Sequence, residues 1–379
     1  MNRRSWAVCH LTSAHPRHDV RIFIKECKAL AANHYDVNLV VADGMGDEVR
    51  DNVNIFSVAA PRSRLSRMLL TTRRVYRKAL DIDADIYHLH DPELLPVALK
   101  LKRQRKIVFF DAHEDFPKQL LKKPYLPRPL ASLLAFYFSW YERYVGRRLD
   151  AVVSATPSID EKFKSFARRS ININNYPLLH EFDSPASSHN SQPTHIAYVG
   201  GISEMRGIVN LVSSLKYLSG VRLYLIGEFS DQRTYEYCRS LEGWEKVDFL
   251  GYQERSEVAS LLEKSFAGVV TFLAHPNHIS AQPNKMFEYM SASLPIVTSN
   301  FPLWKEVVEG NSCGFCVDPD NPKDIAAAIQ SLKNNTTLRL SMGRNARQAV
   351  LEHYNWETQS QRLVEFYDSS IHETHKSSL

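Results

Sequence analysis

The stretch Pro283-Asn284-Lys285-Met286-Phe287-Glu288-Tyr289-Met290 places a cation and a carboxylate three residues apart where a helix should begin. An apolar run at 268–273 precedes it and reads as a buried strand. A polar loop with Pro276 and Pro283 follows, and Leu294-Pro295-Ile296-Val297 starts the next apolar segment. Free N–H groups and the positive dipole end of a helix N-terminus suit a phosphate. Lys285 adds a cation, and Glu288, one turn on, can accept two hydroxyls of a ribose. An ordinary loop and helix would read the same, so the nucleotide reading depends on the rest of the chain. Elsewhere, His113 closes an apolar run beside Asp111, Glu114 and Asp115. Asp81-Ile-Asp83-Ala-Asp85 has a metal-like spacing but precedes a strand, so it reads as a solvated turn. Cys313-Gly-Phe-Cys316 lacks a second pair and reads as a Gly turn beside a strand.

Strands must hold these residues. Apolar runs at 6–11, 37–42, 53–59, 86–89, 107–110 and 151–155 alternate with helical patterns at 19–33, 64–80 and 91–103. Asp91 reads as a helix cap, with Pro92 at the first helical position. The segment 183–194 is rich in Ser, Pro and Asn and reads as a linker. Beyond it, strands are expected at 196–199, 223–226, 247–250, 269–272, 296–298 and 315–317. Helices are expected at 207–217, 233–241, 256–264 and 284–291, and then at 322–332, 339–352 and 356–367. Such alternation implies parallel sheets covered on both faces. The expected fold class is α/β, with two doubly wound Rossmann-like domains facing across a cleft. The first spans 1–182, the linker 183–194 and the second 195–355. A helix and tail at 356–379 pack back towards the first domain. Ligands of such sheets bind at the carboxyl ends of the strands, which makes the cleft the expected site.

The 379 residues are 44% hydrophobic and 23% charged, which excludes a disordered or fibrous chain. No signal-like block opens the sequence, and no eighteen-residue apolar run occurs. Five cysteines, an odd and sparse number, favour a reducing compartment without disulfides. Residues 1–180 carry 30 Lys and Arg against 19 Asp and Glu; residues 181–379 carry 17 against 23. The basic first half calls for an anionic partner.

Several motifs run in order along the chain: His15-Pro16 with Asp19-Val20-Arg21-Ile22-Phe23, His88-Leu-His90-Asp91-Pro92-Glu93, Asp111-Ala-His113-Glu114-Asp115, Asn175-Tyr176-Pro177, Tyr198-Val-Gly200-Gly201 with Arg206-Gly207, and the Pro283 stretch. In this set, over nearly its whole length, the chain resembles the retaining glycosyltransferases of family 4, which have the GT-B fold. The resemblance implies transfer of a sugar from a nucleoside diphosphate to an acceptor hydroxyl, with the nucleotide in the second domain and the acceptor at the first. It implies catalytic roles for His113, Glu288 and Arg206. It implies donor binding by Arg206, Lys285, Asn284, Glu288, Ser280, Gly200 and Gly201. Arg206 stands where the family has a phosphate-binding Lys, and Gly201 replaces the family's Arg five residues earlier. Ser280 replaces the first Glu of the family's paired glutamates, so Ser280 or the backbone at 281–282 supports the sugar. Ser293 replaces a usual Gly, which should lose a tight backbone approach. Asp19, Arg21, His15 and Asp91 fall at the acceptor side, in the family's first loop and beside it. No metal or other cofactor is implied.

Two basic stretches complete the reading. Residues 61–78 hold seven Lys and Arg and no acid. Residues 118–148 hold seven and one acid, Glu142, around an aromatic run at 130–144. This suits an anionic membrane surface and a lipid-linked or polysaccharide acceptor, although a core-packed helix with solvated charge fits as well. No nucleic-acid motif accompanies the charge. The expected protein is a hexosyltransferase of surface glycan synthesis, cytoplasmic and peripheral on the inner face of the plasma membrane. An epimerase-like sugar-nucleotide enzyme and an inactive homologue are the alternatives. A dinucleotide dehydrogenase would need Gly-x-Gly-x-x-Gly after the first strand, and residues 12–19 contain no Gly.

Overall fold

The computed structural model describes residues 5–121, 127–182 and 194–376. The expected linker, apart from Thr194, lies outside the described residues, as do Lys122 and Lys123 of the second basic stretch. The chain forms two compact units, Met1–Asn175 with Gln359–Leu379, and Tyr176–Thr358.

Unit 1 holds β1 (Ala7–Leu11), β2 (Asp36–Val41), β3 (Glu48–Arg50), β4 (Val53–Ser57), β5 (Ile86–Leu89), β6 (Ile107–Ala112), β7 (Ala151–Ser154) and β8 (Ser170–Asn172). They form one sheet in the order β3-β4-β2-β1-β5-β6-β7-β8. Only the β3–β4 pair is antiparallel. The central strands are continuous apolar runs because helices cover both faces, as parallel sheets require. On one face Val75, Ala79, Leu95, Ala98, Leu101 and Val145 pack against Leu11, Val40, Leu89 and Phe110. On the other, Tyr367 and Phe366 of the terminal helix Trp356–Lys376 pack on Phe109. β3 and β8 lack an apolar signature and join the sheet edges through main-chain pairing.

The Asp-x-Asp run lies at the amino edge of this sheet. Asp83 ends the helix Thr72–Ile82 in a left-handed conformation and pairs with Lys106 at 2.7 Å. Asp85 accepts from the Ala7 amide at 3.1 Å, where β1 begins.

Unit 2 holds β9 (His195–Val199), β10 (Arg222–Ile226), β11 (Val247–Gly251), β12 (Ser265–Val270), β13 (Ile296–Ser299) and β14 (Gly314–Val317). They form a wholly parallel sheet in the order β11-β10-β9-β12-β13-β14. β12 ends at Val270, short of the expected 272. Leu273 instead donates its amide to Met205, and the Phe272 carbonyl accepts from Ser299. Gly268 of β12 makes room for the helix Asn284–Ser291: a Cβ there would fall 2.1 Å from Tyr289 Cδ2. Tyr289 can thus cross β12 and accept from the Val199 amide at 2.8 Å. Cys313 precedes β14 and is buried, and burial pushes its thiol up to about 12.

The expected loss of close approach at Ser293 does not occur. The partner is Gly343, where a Cβ would lie 2.3 Å from the Ser293 carbonyl oxygen. What Ser293 does carry is a left-handed backbone, φ +58°. A side chain in that region costs roughly 1–2 kcal/mol, part of which glycine returns through its unfolded-state freedom. Ser293→Gly is therefore expected to stabilise the protein by about 0.5–1 kcal/mol, read as a higher urea midpoint. An unchanged or lower midpoint would contradict the conformational reading.

Candidate active site

Each sheet reverses its strand order once among the central strands, at β9/β12 in unit 2 and at β1/β5 in unit 1. Loops leaving the carboxyl ends there diverge and admit ligands. The expected donor residues follow β9 and β12. The expected acceptor-side residues follow β1, β5 and β6.

In unit 2, Gly200 leaves β9 with φ +103° and donates its amide to Ile226. The Lys285 side chain lies alongside: a Cβ on Gly200 would sit 3.5 Å from Nζ. Lys285 is 9% exposed, and its Nζ lies 3.8 Å from the Tyr198 ring centroid and 5.5 Å from that of Phe272. Nζ has no hydrogen-bond partner among the described residues. Burial, and then the neighbouring Arg206 charge, hold its ammonium well below the ordinary 10.5, against a weaker pull from Glu288. Two adjacent cations, one of them buried and unbonded, form an environment that an anion would relieve.

Arg206 also accounts for Gly201. Its guanidinium donates to the Gly201 carbonyl at 2.9 Å and fills the space a side chain at 201 would enter, since a Cβ there would lie within van der Waals overlap of Nη1. The cation that the resemblance places at 201 is thus replaced in space by Arg206 itself. Glu288 has a partner in the free protein: its Oε1 accepts from Arg255 at 2.8 Å, and Arg255 also reaches Glu181 at 2.5 Å. Ser280 turns its hydroxyl back to Pro276 at 2.9 Å, closing the short turn Pro276–Ile279. Asn284 is exposed at the start of its helix, whose preceding Pro283 makes no side-chain cap.

In unit 1 the acceptor-side residues form one hydrogen-bonded group. The expectation that Asp91 caps its own helix fails. Its Oδ2 accepts instead from Thr12 Oγ1 at 2.9 Å and the Ser13 amide at 2.6 Å, tying the loop after β1 to the end of β5. His15 lies 3.2 Å from Asp19 and 3.5 Å from Asp91, and its hydrogen bond to Asp19 raises it above the ordinary histidine value. Burial pulls the Asp19 carboxyl upward, but His15 and the Ile22 and Arg21 amides outweigh it and bring it to about 2. Asp19 caps the following helix through those amides.

Arg21 is not a loop residue reaching for ligand. It is buried, bonded to Asp111 at 2.8 and 2.6 Å and to the Ile173 carbonyl at 2.9 Å. Burial alone would raise the Asp111 carboxyl, and Arg21 holds it well below the carboxylate range. The same Asp111 oxygen lies 3.3 Å from His113 Nδ1, which orients that imidazole, and the His113 ring meets His15 edge-on at 5.0 Å.

Arg255 and Glu181 carried no signal in the sequence, since only the fold brings them to Glu288. The buried Arg21–Asp111 pair could not be read either, because its members are 90 residues apart.

Two family models match the chain. Residues 20–172 match "Glycosyltransferase Family 4", and residues 180–349 match "Glycosyl transferases group 1". The chain belongs to the family 4 glycosyltransferases. Among curated relatives, glycogen synthase of Mycobacterium tuberculosis is 22% identical over 60% of this chain and 56% of its own length. Several such relatives are matched over only about half their length. The lipopolysaccharide core biosynthesis glycosyltransferase LpsD of Rhizobium meliloti is 21% identical over 86% of this chain and 96% of its own. Among solved structures, Anabaena HepE in complex with UDP and glucose superposes with TM-score 0.71 at 16% identity, covering 96% of this chain and all of that one. The transferase has the GT-B fold.

If Lys285 is kept for an anion, it should weaken the free fold. Its lowered folded value means that the unfolded chain holds more protons below 10.5, so this cost is largest at neutral pH and fades as pH rises towards 10.5. Lys285→Met is expected to stabilise the ligand-free transferase by about 1–2 kcal/mol at neutral pH. Thermal melts across pH should show the gain shrinking as the pH rises towards 10.5. A destabilised variant would contradict this.

Proposed function

We propose that the transferase moves a hexosyl unit from a UDP- or GDP-sugar to a polysaccharide or lipid-linked acceptor in surface glycan synthesis, with retention and without a metal ion in the transfer step. The observation that carries the donor half is the buried, hydrogen-bond-free Lys285 ammonium beside Arg206. Breaking the sugar–phosphate bond leaves new charge on the departing diphosphate. Fixed cations and helix amides at that oxygen lower the barrier. Glu288, steadied by Arg255, takes the ribose hydroxyls. The departing phosphate oxygen accepts the acceptor's proton, and His113, oriented by Asp111, positions the reacting sugar. The UDP and glucose in complex with the Anabaena neighbour favour a UDP-glucose-type donor among the possibilities.

A membrane-facing acceptor is supported by the helix Arg128–Gly146. Its inward face includes Ala131, Ala135, Val145 and Gly146 with Glu142, Phe138 and Tyr141 pack towards the core, and other bulky residues point outward. Leu133 is 64% exposed, Phe136 76%, Tyr137 59% and Trp140 57%. The helix thus packs one face on the core and leaves a second, aromatic face exposed. Arg62, Arg64 and Arg67 accompany exposed Leu65, Met68, Leu69 and Leu70 in the other basic stretch. Aromatic and aliphatic side chains beside Arg and Lys suit the interface of an anionic bilayer. No helix among the described residues is long and apolar enough to cross a membrane.

Glu288→Ala and Arg206→Ala are expected to melt cooperatively near the wild-type temperature and to lose transfer from the nucleotide sugar by about a hundredfold or more. UDP or GDP without added metal should raise the wild-type melting temperature and NAD should not. Wild-type turnover in both variants would remove these residues from the site. Stabilisation by neither nucleotide would point to the inactive homologue.

The double change Phe136→Ser with Trp140→Ser should lower co-sedimentation with phosphatidylglycerol-containing vesicles by about tenfold or more. Equal co-sedimentation would place membrane contact elsewhere or nowhere.

A further inference from the structure

Three imidazoles crowd together inside unit 1. His10 of β1 and His88 of β5 are register partners on adjacent strands. His90 follows two residues after His88, the spacing that returns a side chain to the same face. The ring centroids lie 4.8 to 5.1 Å apart. Glu26, from the helical segment Val20–Cys27, completes the group, and all four residues have no exposed surface.

One ligand atom from each lies within 4.8 Å of the others. His10 Nδ1 is 2.9 Å from His90 Nε2 and 4.0 Å from Glu26 Oε2, and His88, whose Nδ1 meets Tyr367, offers Nε2. Four ligands at zinc distances of about 2.0–2.1 Å in a tetrahedron are about 3.3 Å from one another. The observed separations bracket that value.

The buried polar atoms of this group are not satisfied. Both Glu26 oxygens, His10 Nε2 and His88 Nε2 lack hydrogen-bond partners among the described residues. Arg21 reaches Glu26 at 3.2 Å but is bonded to Asp111, so one guanidinium faces two buried carboxylates. Such a deficit is costly unless a proton or a cation offsets it. The surroundings resemble an outer shell. Asp111 lies 3.0 Å from His90 Nδ1, which leaves His90 Nε2 as the lone-pair nitrogen, and Tyr367 Oη lies 2.7 Å from His88 Nδ1. Carboxylate and hydroxyl groups behind imidazoles orient metal-bound histidines in this way.

We propose that His10, Glu26, His88 and His90 form a buried structural site for a zinc-class divalent ion. Imidazole nitrogens and a carboxylate oxygen suit zinc, and with every position closed by protein the ion has no reaction to perform. It would join β1, β5 and the helical segment carrying Glu26. The ion enters as the chain folds, since the finished site is sealed. The metal-free transfer step proposed above neither requires it nor is altered by it.

The test uses full-length protein made without a polyhistidine tag and dialysed against a weak chelator. Elemental analysis should find about one zinc per folded chain. Glu26→Gln and the double variant His10→Asn with His88→Asn, each checked for a cooperative melt, should lose most of it. Wild-type protein refolded with cobalt(II) as the only metal should show the intense visible absorption of a tetrahedral site, a readout that does not depend on how the variants fold. Metal far below one per chain with no tetrahedral cobalt absorption would overturn the proposal and leave Glu26 as a protonated acid. Zinc retained at the wild-type level in the variants would overturn it too, by placing the ion at other residues.

Discussion

A lysine amine taken out of water without a hydrogen bond holds its proton poorly, and unit 2 places one at Lys285. Much of the surrounding sequence is what allows it. Gly200 turns the chain beside Nζ with φ +103°, and Tyr198 and Phe272 offer ring faces in place of water. Gly268 admits Tyr289, whose hydroxyl accepts the Val199 amide and fixes the helix carrying Lys285 against β9 and β12. Gly201 leaves the space that the Arg206 guanidinium takes. Small residues in the sheet and its loops thus bring two cations to the place where the strand order reverses.

Unit 1 handles buried charge differently. Asp111 and Arg21 neutralise one another beneath the loops, and their pairing sets the height and direction of His113. Asp91 gathers the loop after β1, and Asp19 caps the helix that follows while holding His15. The residues named for acceptor chemistry are therefore coupled through shared hydrogen bonds. Substitution at one would disturb the others, so their separate effects should not add.

Twelve of the fourteen described strands were legible, most of them because buried parallel strands are apolar runs bounded by turns. β3 and β8 were not, because three-residue edge strands need no apolar signature. Asp91 misled because Asp-Pro is the right local chemistry for a helix start, yet a tertiary donor pair, Thr12 and Ser13, took its carboxylate. Arg21 looked like a loop residue until burial against a partner 90 positions away gave it a structural task. The positions of Lys285, Arg206 and Glu288 near one fold-reversal point followed from element order. The Arg255 clamp on Glu288 did not, since no periodicity links the two.

The most direct test of the donor site is the proton balance of nucleotide binding. UDP is fully ionised above about pH 8, so it brings no proton of its own to the equilibrium. Calorimetric titration of the transferase with UDP, in buffers of different ionisation heat, reads the protons exchanged. If the diphosphate settles on Lys285, binding restores the charge that burial suppresses. Net proton uptake should then grow as the pH rises from neutrality towards the ordinary lysine value of 10.5. Tight binding with no proton uptake at any pH would mean that the nucleotide does not contact Lys285.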